Sequence, residues 1–134
     1  ISEFKKLRSQ IDYGIFIPIQ KAAAAALTGP QDSVKLHRKT YEKRRNALCG
    51  GLRRIGWNVP DCQGTMFVWA PIPKGFKNSE EFVLELLDKT GVICVPGSSF
   101  GSLGEGFVRF ALVLPEEKMC ELVEVIDKSG IINK

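Results

Sequence analysis

Histidine is almost missing from this chain: His37 is the single example in 134 residues. One imidazole cannot supply the nucleophile-and-base pairings of hydrolytic enzymes, and its place in a charged helical stretch marks it as a surface residue. Cysteine is sparse and scattered, at Cys49, Cys62, Cys94 and Cys120, with no CxxC pair. A zinc site is therefore not expected, and reduced thiols in a cytoplasmic protein are the simplest account. There is no G-x-x-x-x-G-K-[ST] phosphate loop. The glycines of Gly101 to Gly106 precede a strand pattern rather than a helix, which is the wrong context for a dinucleotide fingerprint. No pair of carboxylates stands in a catalytic context. No apolar run approaches the length of a membrane span, and the front carries no signal peptide. It opens on Ile1-Ser2-Glu3-Phe4, without methionine and with helical spacing under way, as an excised segment of a longer protein would.

What is present suits one folded domain over residues 1–134. Apolar residues make up 44% of the chain, and 19 basic residues against 15 acidic ones leave a formal charge of +4. Most of the basic residues lie at or before Arg54 without interleaved aromatics for base stacking, which argues for a solvated helical face and against nucleic acid.

The apolar spacing predicts the elements. Phe4, Leu7 and Ile11 give a short helix broken near Gly14, and Pro18 to Leu27 is an alanine-rich helix stopped by Gly29-Pro30. Asp32 or Ser33 opens a longer helix with a stripe of Val34, Tyr41, Leu48, Leu52 and Ile55, ended by Gly56. Thr65 to Ala70 has the β-branched and aromatic content of a buried strand. Asn78 with Glu81 forms a capping box for a helix that buries Phe82, Val83, Leu86 and Leu87, closed by Gly91. Val92 to Val95 and Gly106 to Leu114 read as two further strands. Pro115-Glu116-Glu117 starts a last helix with Met119, Leu122, Val123 and Ile126 on its core face. The order implies an α/β layered fold, a small mostly antiparallel or mixed sheet of about three strands covered by helices.

One residue is out of place in that pattern. Arg109 stands between Val108 and Phe110, and burying a guanidinium there costs several kcal/mol unless it is paired or reaches water. Alternation puts Phe107, Arg109 and Ala111 on one face of the strand. The loop from Pro96 to Gly106 is rich in glycine and serine, so its backbone can come close to a ligand. Two readings stand open on these residues. Arg109 either closes a structural ion pair with an acid such as Glu105 or Asp61, or offers its fork of donors to a carboxylate or phosphate.

Five stretches together resemble a known family. They are Asp12-Tyr13-Gly14 with Pro18-Ile19-Gln20 and the Tyr41-Glu42-Lys43-Arg44-Arg45 helix, then Gly64 to Trp69 (GTMFVW), Val95 to Gly101 (VPGSSFG) and Gly106 to Ala111 (GFVRFA). In order and spacing they resemble the C-terminal small domain of fold-type I pyridoxal-phosphate aminotransferases, class I/II, the family that includes aspartate and LL-diaminopimelate aminotransferases. The resemblance implies the small-domain fold, with residues 1–30 as a helical lead-in from a large domain upstream. It implies amino-group transfer between an amino acid and a 2-oxo acid, and a full-length homodimer. It assigns Arg109 to the substrate α-carboxylate, Phe67 to an apolar wall of the pocket, and Ser98 to Gly101, Ser99 above all, to a supporting loop near the carboxylate site. The family's cofactor lysine, in a Ser-x-x-Lys-like segment, is absent here, so pyridoxal phosphate is expected in the full-length enzyme and not on this fragment, which is expected to be inactive alone. The alternative is a stand-alone, non-catalytic α/β module that binds an anionic ligand or partner.

Overall fold

The computed structural model describes residues 1–12 and 14–133, so Tyr13 of the Asp12-Tyr13-Gly14 stretch lies outside the described residues. The chain divides into two compact units, 1–36 and 37–134. The first contains α1 (Ser2–Ile11) and α2 (Ile17–Thr28), with Pro18 in the first turn of α2. Neither helix buries a side chain in this chain: Phe4, Leu7, Ile11 and Ile19 are all exposed. The periodicity of α1 thus correctly marks a helix without marking a core.

The second unit holds the core. Helix α3 (Asp32–Arg54) begins before it and buries only its last turns, through Leu48, Cys49, Gly51 and Leu52. Val34, expected on the buried stripe, is about half exposed. Strands β1 (Phe67–Pro71), β2 (Val95–Pro96) and β3 (Phe107–Ala111) form a sheet in the order β1-β3-β2, antiparallel throughout. The expected mostly antiparallel three-strand sheet is therefore what forms, with shorter strands than the apolar runs suggested. Val92 and Cys94 are buried and Ile93 exposed, yet only Val95 and Pro96 join the ladder. Helices α4 (Ser79–Thr90) and α5 (Glu116–Ser129) complete the unit.

Side chains alternate across the sheet. Val68, Ala70, Val108 and Phe110 are buried on one face. They join Leu48, Leu52, Phe82, Leu86, Met119 and Ile126 in a single cluster. Each large aliphatic or aromatic side chain fully buried there contributes about 1.5–3 kcal/mol. Trp57 anchors it, edge-on to Phe82 at 5.3 Å and to Phe110 at 5.7 Å, and its Nε1–H donates to the Pro71 carbonyl at 2.7 Å. That bond ties the exit of α3 to the end of β1. Gly51 lets α3 meet α5 closely, because a Cβ there would lie 2.7 Å from Val123 Cγ2.

Local chemistry sets the helix ends. The Asn78 side chain accepts from the Glu81 N–H at 2.8 Å, and the Glu81 carboxylate accepts from the Lys77 N–H. Gly91, at φ 69°, adopts the left-handed conformation that closes α4. Leu87, expected on the buried face of α4, is 42% exposed.

Candidate functional site

The other face of the sheet is only half-covered, and Arg109 stands at its middle. On the central strand β3 it lies opposite Trp69 of β1 and Val95 of β2. Phe67, Trp69, Phe107 and Arg109 are all half-buried. The guanidinium carbon sits 4.2 Å from the Phe67 ring centroid and 4.5 Å from that of Phe100. Trp69 stacks on Phe107 at 5.7 Å and meets Phe100 edge-on at 5.6 Å. The cation is thus surrounded by ring faces, which stabilise it without using its N–H donors.

Neither acid that could have closed an ion pair is available. Asp61 pairs with Arg53. Glu105 accepts from the Ser79 backbone N–H at 2.7 Å, the Ser79 hydroxyl at 3.1 Å and the Gly106 N–H at 2.7 Å. The Ser79 N–H, then that of Gly106, hold its carboxyl below the usual range. Ser79 opens α4, so Glu105 satisfies donors that a helix start leaves unpaired. Among the described residues Arg109 makes no hydrogen bond and no ion pair. Of the two readings left open by the sequence, the ion pair with Glu105 or Asp61 does not form among the described residues.

The loop beside it is built by two glycines. Residues Gly97–Phe100 and Ser102–Gly104 form consecutive 3₁₀ turns. A Cβ on Gly97 would fall 1.9 Å from the Gly104 carbonyl oxygen, and one on Gly104 would fall 2.1 Å from that of Gly97. The close backbone approach that these two glycines permit is between the two turns. Ser98 is tied back through the Ser79 hydroxyl. Together these fix the loop that carries Phe100 to Arg109.

Of the residues singled out from the sequence, Phe67 and Arg109 are brought into contact, while Ser99 is exposed on the turn before Phe100. Phe67 lies against the guanidinium itself. Phe107 was expected on the face of Arg109, and alternation along Thr65 to Ala70 places Trp69 on the face of Phe67. Phe100 lies within the expected supporting loop, but no sequence period points its ring at Arg109.

A second hollow, of about 510 Å³, lies along α3 between Arg45, Arg53, Cys49 and Cys62. Its cations are committed: Arg45 donates to the Cys62 carbonyl at 3.1 Å and Arg53 to the Val59 carbonyl at 2.7 Å. Burial pushes the Cys49 thiol up to about 11, so it stays protonated. No cluster of three or more metal-ligating side chains occurs among the described residues.

An antiparallel three-stranded sheet with helices on one face is shared with solved aminotransferases. A probable N-succinyldiaminopimelate aminotransferase from Thermus thermophilus superposes with a TM-score of 0.82 at 28% identity, over 96% of this chain and 34% of that one. LL-diaminopimelate aminotransferase from Halothermothrix orenii is 42% identical over 131 residues, 98% of this chain and 33% of that protein. The same-named protein from Gloeobacter violaceus is also 42% identical over 131 residues. The family model described as aminotransferase class I and II matches residues 1–126, and the chain belongs to that family. It spans about a third of the length of the curated relatives it matches.

Proposed function

We propose that this chain is the C-terminal small domain of a pyridoxal-phosphate-dependent aminotransferase, and that Arg109 holds the α-carboxylate of the amino acid and of the 2-oxo acid in turn. One observation carries the reading: Arg109 sits half-buried on an open sheet face with no hydrogen bond or ion pair among the described residues, Glu105 and Asp61 both being engaged elsewhere. A carboxylate fits its two parallel N–H donors, and the gain is largest where water is partly excluded. Held there, the substrate reacts as a positioned group rather than by random encounter.

The described residues do not make a site for the cofactor. An aldimine lysine needs an enclosed pocket that lowers its pKa, and every described lysine is exposed. No chemical step is assigned to them. The reading therefore places the lysine and the cofactor in the rest of the protein, a large domain that pairs into a homodimer. The names of the relatives make LL-diaminopimelate the first amino donor to try.

The test is Arg109→Ala in the full-length protein. Loss of a charged hydrogen-bonded contact removes about 1.5–3 kcal/mol, so KM for both amino acid and oxo acid rises about 10- to 150-fold. Cofactor absorbance should stay as it is. Unchanged KM values would remove Arg109 from the substrate site.

A further inference from the structure

Phe100 lies in the loop that the resemblance sets near the carboxylate site, but no role of its own is assigned to it. It lies on a loop and is 50% exposed, so its ring is not there to fill the core. Its loop is nevertheless tightly built, through the mutual contact of Gly97 and Gly104 and the Ser79–Ser98 bond. The product of that construction is a ring face 4.5 Å from the Arg109 guanidinium carbon, with Phe67 at 4.2 Å and Trp69 edge-on to Phe100.

A free arginine side chain has many rotamers and pays an entropic penalty when a ligand fixes it. An acidic partner would fix it but would occupy the donors the ligand needs. Ring faces stabilise the cation through their quadrupole and leave all five N–H groups open. We infer that Phe100 is a positioning residue, which together with Phe67 holds the Arg109 guanidinium in place with its donors uncommitted, ready for a carboxylate. The inference rests on the proposal that Arg109 binds the substrate carboxylate. Phe100 acts through Arg109 and need not touch the side chain of the amino acid.

The experiment is a double-mutant cycle in the full-length enzyme, with Phe100→Leu, Arg109→Ala and the combination, and Phe100→Tyr as the conservative control. The half-exposed position lets leucine be accommodated without opening the core. Phe100→Leu should raise KM by about 3- to 30-fold, the range a cation–π contact supports, with kcat much less affected. The rise should be equal for amino acids of different side chains, and Phe100→Tyr should restore the wild-type value. In the Arg109→Ala background Phe100→Leu should add nothing. A readout independent of turnover is the Arg109 Nε–H resonance of the 134-residue chain, displaced by the ring currents of Phe67 and Phe100. It should move towards the free-arginine position in Phe100→Leu and hold in Phe100→Tyr. If Arg109→Ala raises KM and Phe100→Leu does not, the positioning role fails and the carboxylate reading stands. If neither raises it, the carboxylate reading itself fails and the positioning role with it. If Phe100→Leu is as harmful without Arg109 as with it, or its effect varies with the substrate side chain, Phe100 acts on its own and the inference is overturned.

Discussion

Replacing Gly97 by alanine puts a methyl group where the structure has backbone. The new Cβ would stand 1.9 Å from the Gly104 carbonyl oxygen, 2.7 Å from that of Phe107 and 2.9 Å from the Gly104 carbonyl carbon. None of these is the end of a flexible side chain that could swing aside. Phe107 is the first residue of β3, the central strand, and Gly104 closes the second 3₁₀ turn. Relief therefore requires the two turns to separate by more than about 1 Å, and overpacking of this kind costs about 1–3 kcal/mol, with rigid backbone partners at the upper end. The expected loss is about 3 kcal/mol. Urea unfolding of the chain measures it, with fluorescence from Trp57 in the core and Trp69 on the open face as two separate probes. The folded Trp69 signal should change more than that of Trp57, because the displaced turn carries Phe100 away from it. Gly50→Ala is the control: it lies inside α3 with no heavy atom within 4 Å of a built Cβ, so the substitution should stabilise by up to about 1 kcal/mol. Gly97→Ala unfolding at the wild-type urea midpoint, with the same slope, would refute the steric argument.

Glu105→Gln tests the carboxylate that closes α4. The folded state holds this carboxyl below its ordinary value of 4.5, so its stabilisation is fully present above 4.5 and is lost as the pH falls through the lowered folded-state value. The variant should be less stable than wild type near about pH 7, with the gap shrinking as the pH falls below 4.5; a gap that stays constant into acid would contradict the assignment. For the cysteines, burial pushes Cys49 up to about 11 and Cys94 up to about 12, whereas Cys120 is exposed. A thiol reagent at about pH 8 should label Cys120 first and leave Cys49 and Cys94 until the chain unfolds. Equal rates for Cys49 and Cys120 in the folded chain would show that the α3 hollow opens. Because both raised values exceed the ordinary 9.0, their contribution to stability is complete below about pH 9 and falls as the pH rises towards 11 to 12.

Much of the fold was legible because local chemistry and tertiary packing agree. Asn78 with Glu81 starts α4, Gly91 ends it, and Val68, Ala70, Val108 and Phe110 are the inward positions of their strands, as alternation requires. The second strand shows where reading stops. Val92 and Cys94 are buried and Ile93 is exposed, a true alternation, but the ladder of β2 begins only at Val95. Alternation reports which side chains are buried and not which backbone groups are paired. In the same way Phe4, Leu7 and Ile11 give the period of α1 while remaining exposed. At the site, Arg109 was legible as an anomaly and Phe67 by its strand position. Phe100 was legible only as part of a loop the resemblance set near the site, because its contact with Arg109 depends on the three-dimensional closure of Gly97 on Gly104, which has no sequence period.

Glu105 is one of the acids that could have paired with Arg109, and it is committed elsewhere. The start of α4 offers that carboxylate two backbone N–H groups and the Ser79 hydroxyl in fixed positions, with no side-chain entropy to lose on the backbone side. Ser79, which binds Glu105, also binds Ser98 in the loop that brings Phe100 to the cation. A change that loosens the grip of α4 on Glu105 should therefore disturb the placement of Phe100 as well.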